Sequence, residues 1–190
     1  MRHTLLILAM FCSAPAFAQQ PVINTADIDS SGKQYQGNLA VNQAAGDLQQ
    51  QANARAIAAG QNASATTQIR QRLYTVVDPA MDARSSISGD AFSNGSGALG
   101  VNQSAGASTQ QANALRISIS AQPQSIDDSV LMQQNVALLN SSGPTDSAPG
   151  HRQVTTSDQA FTGSRGVIQL NQSAGVGNRM ANTLSVRVAD

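Results

Sequence analysis

Histidine, cysteine and paired carboxylates most often carry catalysis or bind metals, and this chain has few of them. It has one cysteine, Cys12, and two histidines, His3 and His151. A hydrolytic triad needs a histidine beside its nucleophile, and a zinc site needs three or four suitable ligands. His151 lies in a Pro- and Gly-rich stretch without a recognisable partner motif, which is typical of a surface loop. The adjacent pair Asp127-Asp128 could serve acid–base chemistry, but such pairs more often cap a turn or solvate a loop. The sequence therefore predicts no catalytic residue, no metal and no cofactor.

Other signatures of chemistry are also missing from the sequence. It contains no P-loop and no Gly-rich dinucleotide fingerprint, and no G-G-x-G-x-D calcium repeat. Its 11 basic and 11 acidic residues give a net charge of zero, and its arginines form no basic patch with interleaved aromatics. The sequence thus lacks the basic patch that is typical of nucleic-acid-binding proteins, and no nucleic-acid partner is predicted. Of the function classes considered, an enzyme is the least favoured.

The most prominent polar side chains are carboxamides, and they recur in a fixed order. Three copies of one pattern align without a gap, over Gly37–Ile57, Gly97–Ile119 and Gly166–Val186, at offsets of 60 and 69 residues. Each copy has a leading glycine, then Asn-Gln, then Ala-Gly, then Ala-Asn. A repeat this regular sets the architecture of the chain.

Each copy divides at its Ala-Gly into two arms with a period of two. In the second copy, Leu99, Val101 and Gln103 lie on one side of the first arm, and Asn113 and Leu115 share a side of the second arm. This alternation predicts strands. The first copy is rich in Ala and Gln and also admits a helix over its second arm. We favour a strand there, because the same positions in the other copies are β-branched.

A glycine follows the first arm of every copy, at Gly46, Gly106 and Gly175. Glycine adopts positive φ at little cost, so these residues are predicted to reverse the chain in a hairpin-like turn. Each copy is therefore predicted to be a strand–turn–strand unit.

The predicted fold is all-β, with three strand–turn–strand repeats stacked as a β-solenoid or cross-β layer structure and joined by flexible polar linkers. One such unit is marginal in water, whereas stacked equivalent units pair along their backbones. Stacking in register would place each buried amide over an identical amide, and such ladders stabilise cross-β structure. The predicted ladder residues are Asn42, Gln43, Asn53, Asn102, Gln103, Asn113, Asn171, Gln172 and Asn182.

The chain begins with a predicted secretory signal peptide over residues 1–18, which has a basic start, a short apolar run and an Ala-Phe-Ala cleavage pattern. The apolar run is too short for a permanent membrane span, so none is predicted in the mature chain. Cys12 would be removed with this segment. The predicted divisions after it are 19–36 lead-in, 37–60 repeat 1, 61–96 linker 1, 97–120 repeat 2, 121–165 linker 2 and 166–190 repeat 3.

The segments between the copies carry weaker signals. Related stretches precede the second and third copies and place Phe92 and Phe161 five residues before the repeat glycine, with Tyr35 as a looser counterpart. The true unit is therefore nearer 30 than 21 residues. Residues 73–77 are predicted to form a strand, and residues 130–139 either a strand or a short helix.

The pattern G-x-[LI]-x-[VL]-N-Q-[SA]-A-G…[QM]-A-N-[AT] resembles the repeats of the Fap functional-amyloid proteins and is more distantly similar to those of curli subunits. The resemblance covers the three copies and the layout, but not the linkers. It implies export through the periplasm and an outer-membrane channel, followed by assembly with itself or related amyloid subunits into extracellular biofilm fibres. Fap fibre subunits tend to carry a cysteine pair near the C-terminus, which this chain lacks. The chain could therefore be a minor subunit, a nucleator or an accessory component instead of the main fibre protein, and these roles stay open.

Two functions follow as hypotheses. The first is a secreted structural repeat protein that forms or assists extracellular functional-amyloid fibres. The alternative is a monomeric β-rich adhesin or a periplasmic helper of fibre assembly. The first predicts fibres from the purified protein, and the second predicts a soluble species with a cooperative melt.

Overall fold

A computed structural model describes residues 22–73, 81–121 and 150–189, and within these ranges the chain forms nine β-strands and no helix. The all-β prediction is thereby confirmed. The predicted signal peptide, most of the strand at 73–77 and the run at 130–139 lie outside the described residues, as do Asp127 and Asp128. The strands are β1 (Ile23–Asp29), β2 (Gln36–Ala45), β3 (Gln50–Gly60), β4 (Asp82–Ser88), β5 (Ser96–Ala107), β6 (Gln110–Ser120), β7 (Arg152–Thr156), β8 (Arg165–Val176) and β9 (Arg179–Ala189). No helix that could cross a membrane is found over the described ranges.

The strands form three parallel sheets of three strands each. The first sheet has the order β1-β4-β7, the central sheet β2-β5-β8 and the third sheet β3-β6-β9. Each copy, together with the strand that precedes it, therefore contributes one strand to every sheet. The central sheet lies between the other two: Gln103 of β5 contacts the first sheet, and Asn102 of β5 contacts the third.

The register of the sheets pairs each repeat residue with its own counterpart. In the central sheet Asn42 pairs with Asn102, which pairs with Asn171. In the third sheet Asn53 is likewise joined to Asn113 and Asn182. A shift of one residue would turn every side chain to the opposite face, so this register keeps like side chains on one face throughout.

The reversal within each copy differs from the predicted hairpin. In the first copy, β2 and β3 belong to different sheets and pair with β5 and β6, not with each other. The backbone groups of each strand are already used by the same strand of the next copy, so the turn carries the chain from one sheet to the sheet facing it. β3 is a strand, and the helical alternative for this segment is wrong.

The predicted flexible linkers need correction, because each contains a strand. β4 and β7 lie in the segments between the copies; β4 pairs with β1 of the lead-in, and β7 pairs with β4. Residues of the first linker also contact the third sheet: the amide of Ala65 donates to Ser118 Oγ at 3.0 Å, and Gln71 Nε2 donates to the carbonyl of Gln111 at 3.0 Å. β4 and β7 join the first sheet through backbone pairing and not through side chains that repeat from copy to copy.

The apolar core lies between the first and central sheets. Along these strands, the residues that alternate with the core residues are mostly polar and point away from the core. The apolar side chains of facing strands therefore meet on one side of each sheet only. A second, smaller cluster of buried alanines also joins the two sheets. The buried core residues are Ile28, Tyr35, Ile87, Ala91, Phe92, Leu99 and Val101, and the alanine cluster is Ala26, Ala83 and Ala105.

Candidate functional site

Stacked asparagines line the interface between the central and third sheets. Asn102 Nδ2 donates to Asn42 Oδ1 at 2.9 Å, and Asn171 Nδ2 donates to Asn102 Oδ1 at 2.9 Å. Both donors are held by a second bond to a facing carbonyl, that of Ala52 for Asn102 and that of Ala112 for Asn171, each at 2.9 Å. The orientation of these amides is therefore fixed by the third sheet.

A second column of asparagines runs along the third sheet. Asn113 Nδ2 donates to Asn53 Oδ1 at 3.0 Å, and Asn182 Nδ2 donates to Asn113 Oδ1 at 3.2 Å. The two columns are joined within each copy, as where Asn113 Nδ2 also donates to Asn102 Oδ1 at 3.0 Å. The predicted asparagines thus form one network that links both the copies and the sheets.

The predicted glutamines form a third column on the opposite face of the central sheet. Gln103 Nε2 donates to Gln43 Oε1 at 2.8 Å, and Gln172 Nε2 donates to Gln103 Oε1 at 3.0 Å. Gln103 also receives a bond from Ser85 Oγ at 3.0 Å and donates to the carbonyl of Ala26 at 3.0 Å. This column ties the central sheet to the first.

Burial explains why these amides are stacked. Asn102, Gln103 and Asn113 are at most 1% exposed, and an amide buried without partners costs a few kcal/mol. In register, each carboxamide meets another that can accept its N–H. The arrangement makes a buried polar position favourable only when an identical layer lies beside it.

The donors in the three predicted columns all point the same way along the chain. In each, the later copy donates to the earlier one: Asn102 to Asn42, Gln103 to Gln43 and Asn113 to Asn53. The same direction holds from the third copy to the second. The stack therefore has a donating side and an accepting side.

Further glutamines extend the columns, although the sequence reasoning did not include them among the ladder residues. Gln110 Nε2 donates to Gln50 Oε1 at 2.9 Å. Gln51 Nε2 donates to Gln111 Oε1 at 3.1 Å, in the opposite direction, and this pair ends at Met180 in the third copy. The first two copies both have Gln-Gln directly before Ala-Asn, and this repeated pair could have indicated the additional stacked glutamines.

The predicted turn glycines have positive φ, at +100° for Gly46, +116° for Gly106 and +118° for Gly175. Gly106 and Gly175 are the penultimate residues of β5 and β8, and the reversal itself follows two residues later. A Cβ at Gly106 would collide with the carbonyl oxygen of Gly175. These glycines thus permit both the backbone conformation and the close approach of successive copies.

The stacking of Phe92 on Phe161 agrees with their predicted equivalence, but Tyr35 is not the third member. The rings of Phe92 and Phe161 stack with centroids 5.4 Å apart and an interplanar angle of 17°. The equivalent position in the first copy is Gly32, and a Cβ there would lie 2.6 Å from Phe92 Cδ1. Tyr35 packs instead over Gly95. The aromatic column therefore stops one copy short.

Charged side chains are sparse in the described part of the chain. Lys33 Nζ lies 3.1 Å from a carboxylate oxygen of Asp90, and the hydrogen bond from Lys33 lowers the pKa of the Asp90 carboxyl. Arg55 Nη2 donates to the carbonyl of Leu39 at 2.5 Å, and partial burial lowers the pKa of Arg55. Neither pair lies in a catalytic arrangement.

His151 lies just before β7 and is exposed, and its backbone amide donates to Asp82 Oδ1 at 2.7 Å. Over residues 22–73, 81–121 and 150–189, no three His, Cys, Asp or Glu side chains are grouped so that they could hold a metal ion. The chemistry that the structure brings together is hydrogen bonding between like amides.

Comparison with known proteins relates the sequence to one family. The model of the functional amyloid protein FapB/FapC family matches residues 13–189. The functional amyloid subunit FapC of Pseudomonas aeruginosa is 40% identical over 106 residues, which are 52% of this chain and 31% of that protein. The chain thus spans about a third of that relative's length. No solved structure matches the chain.

Proposed function

The chain belongs to the functional amyloid protein FapB/FapC family, and we propose that it is a fibre subunit whose three repeats stack as a β-solenoid of cross-β layers. In this proposal the amide columns and the strand edges at both ends are the assembly site. The family is one of structural amyloid proteins and not of enzymes.

The observation that carries the proposal is the register of like residues across open-ended sheets. Identical residues pair from copy to copy, as Asn42 with Asn102 and Asn171. Among residues 22–73, 81–121 and 150–189, each sheet ends in a strand with one neighbour, namely β1, β2 and β3 on one side and β7, β8 and β9 on the other. Such edges offer unpaired backbone groups as a template for another chain. We call these the copy-1 face and the copy-3 face.

The ladder residues would act by making addition selective for a chain of the same kind. A foreign strand could pair with the backbone of an open edge, but it would leave Asn171 or Asn182 without an amide partner. A second copy brings an amide to each column at the ~4.8 Å spacing of paired strands. Self-association, or association with related amyloid subunits, follows from this selectivity.

The proposed route to the fibre begins with secretion. Residues 1–18 would act as a signal peptide, and the family resemblance supports passage through the periplasm and an outer-membrane channel to an extracellular biofilm matrix. The remaining divisions are proposed as repeats at 37–60, 97–120 and 166–190. The segments 19–36, 61–96 and 121–165 between them supply the first sheet.

Fibre diffraction of the purified mature protein tests this function. Incubation should give fibres with a meridional reflection near ~4.8 Å and an equatorial reflection near ~10 Å. A soluble protein that melts cooperatively and gives neither reflection after seeding would contradict it. Fibres with both reflections but no thioflavin response would still support cross-β assembly.

A second candidate, an accessory component that limits or starts fibre growth, is favoured by Arg55. This residue occupies a register position held by Leu115 and Leu184 in the other copies. A cation on the copy-1 face would slow stacking on that side. Substoichiometric addition to a fibre-forming relative would then change its lag time without incorporation along the fibre.

A further inference from the structure

The copy-1 and copy-3 faces have different shapes at the aromatic position. On the copy-1 face a groove of about 360 Å³ opens over Gly32. Its apolar walls are Ile28, Leu39 and Val41, and Phe92 of the second copy forms its floor. The groove exists because the first copy has a glycine where the other two have phenylalanine.

On the copy-3 face the same position carries an aromatic ring. Phe161 is only half-buried, whereas Phe92, which is covered by layers on both sides, is 1% exposed. One face of the Phe161 ring stacks on Phe92. Its other face is left for whatever extends the stack, and Ile168 of β8 is also exposed.

The direction of the amide columns distinguishes the two faces a second time. In the three predicted columns each copy donates to the preceding copy and accepts from the following one, as Asn102 does with Asn42 and Asn171. In these columns the copy-1 face therefore presents donors and the copy-3 face presents acceptors, whereas the reversed Gln51–Gln111 pair ends at Met180. Bonds to the facing sheet hold Asn102 and Asn171 in this orientation.

We propose that the copy-3 face of one molecule docks on the copy-1 face of a second copy of this chain, with Phe161 placed over the Gly32 groove. This inference rests on the proposed function and adds a partner, a site and a polarity to it. In this arrangement Asn42 of the incoming molecule donates to Asn171 of the preceding one. The register that joins the copies within a molecule then continues between molecules.

The two alternative arrangements are disfavoured by the same features. Joining two copy-1 faces would place groove against groove, and amide donors against amide donors. Joining two copy-3 faces would bring the Phe161 rings together but would oppose acceptor to acceptor. Only head-to-tail stacking satisfies both the amides and the apolar surface.

Disulfide trapping tests the polarity. Ile57 pairs with Ile117, which pairs with Val186, and Ile57 and Val186 are exposed. Head-to-tail stacking places position 186 of one molecule beside position 57 of the next, within the ~4.4–6.8 Å Cα separation that a disulfide needs. The variants are Ile57→Cys and Val186→Cys, each in a Cys12→Ser background. Fibres are grown from each variant alone and from an equal mixture, and are then oxidised.

The mixture should give a 57–186 disulfide-linked dimer, and each variant alone should give none. Homodimers through 57 or through 186 would overturn the proposed polarity, and so would the lack of any cross-link in well-formed fibres. An Ile57→Cys/Ile117→Cys chain, which should close an intramolecular bond, controls for reactivity. Absence of fibres in every sample would instead contradict the proposed function, so the two failures are distinguishable.

Truncation of the aromatic ring tests the docking site. Phe161→Ala should slow elongation of wild-type seeds by about fivefold or more, because a stacked ring and its apolar contact are lost at the junction. Val188→Ala, a truncation of an exposed apolar residue of β9, is the matched control and should elongate at the wild-type rate. Equal rates for both variants would show that the Gly32 groove is not the site that Phe161 occupies.

Discussion

The guanidinium of Arg55 occupies space that Gly100 leaves open. A Cβ at Gly100 would lie 2.9 Å from Arg55 Nη2, inside ordinary van der Waals contact. Arg55 projects between the central and third sheets, where burial lowers the pKa of its guanidinium. In the next copy the register equivalent is the fully buried Leu115. The cation therefore replaces a leucine of the other copies at the end of the stack, where the guanidinium is only half-buried.

Arg55→Leu should stabilise the folded chain and shorten the lag of fibre formation. The change removes the desolvation of a cation and places at position 55 the leucine that the other copies have at positions 115 and 184. We expect a gain of about 1–2 kcal/mol in the free energy of unfolding. Chemical denaturation and thioflavin kinetics would measure the two effects.

Arg84 provides the control for this substitution, because it is exposed on β4. Arg84→Leu should leave the free energy of unfolding nearly unchanged. A destabilised Arg55→Leu chain would mean that the hydrogen bond to the Leu39 carbonyl outweighs the cost of burying the cation.

Removal of the central ladder should slow assembly strongly. The triple variant Asn102→Ala/Gln103→Ala/Asn113→Ala removes the ladder acceptors of the third-copy amides and the ladder donors to the first-copy amides. Each buried amide left unpaired costs about 1–3 kcal/mol, so both the melting temperature and the fibre growth rate should fall. Thioflavin kinetics at matched concentration and a thermal melt are the measurements.

The matched control replaces the exposed amides Gln36, Asn38 and Gln153 with alanine. Gln36 and Asn38 lie on β2 of the central sheet and Gln153 lies on β7 of the first sheet. All three are exposed, so their loss should change the lag time little. If both triple variants assemble at the wild-type rate, the amide columns do not direct stacking and backbone pairing alone is sufficient.

The strands of the three copies could be predicted because alternation of side chains is a local property. Val101 and Asn113 each have neighbours of the opposite character on both sides, and this is enough to place them on strands. Which strand pairs with which is not local. The same alternation fits a hairpin of β2 with β3, whereas the structure pairs β2 with β5. Only the identity of Asn42 with Asn102 favoured the observed register over the hairpin.

The first sheet was missed for a related reason. Its strands share almost no side-chain identity, and β1, β4 and β7 are held mainly through their backbones. The residues that follow β4 and β7 did indicate an equivalence, since Phe92 and Phe161 occupy matching positions there. Tyr35 was the suggested third member, but the register places Gly32 there and Tyr35 over Gly95. A glycine at a position otherwise aromatic is not recognisable as equivalent without the fold.

The Lys33–Asp90 ion pair should give stability a small acid dependence. The pKa of the Asp90 carboxyl is lower in the folded chain than its ordinary value of 3.8. Its stabilisation is therefore present above the unfolded value and is lost as pH falls through the folded value. Both side chains are nearly half exposed, so the effect is small, about 1–2 °C in melting temperature.

A cycle of Asp90→Asn, Lys33→Met and the double variant isolates this pair from the other carboxyls. Both single variants should melt slightly below the wild type at pH 7, and the differences should vanish near pH 2. A coupling that persists at pH 2 would mean that the contact is not electrostatic. High salt should reduce the coupling at pH 7, because exposed pairs are screened.

Three glycine substitutions should separate backbone conformation from close approach. Gly106→Ala combines both problems, because φ is +116° and the added Cβ would collide with the carbonyl of Gly175. Gly37→Ala has a positive φ of +81° but open space, and Gly60→Ala has neither difficulty. We expect losses in the free energy of unfolding of more than about 3 kcal/mol for Gly106→Ala and about 1–2 kcal/mol for Gly37→Ala, with little change for Gly60→Ala.

The order of these losses depends on the copies lying one strand spacing apart at the turn. If Gly106→Ala cost no more than Gly37→Ala, only conformation would matter and the second and third copies could not be in contact there. Urea denaturation of the three variants as soluble monomers gives the free energies. Seeded growth then adds a second readout. A Cβ at Gly46 or Gly106 would point at the following copy, so a Cβ at Gly175, where φ is +118°, would point toward the next molecule on the copy-3 face. Gly175→Ala should therefore impair both folding and the addition of the next molecule.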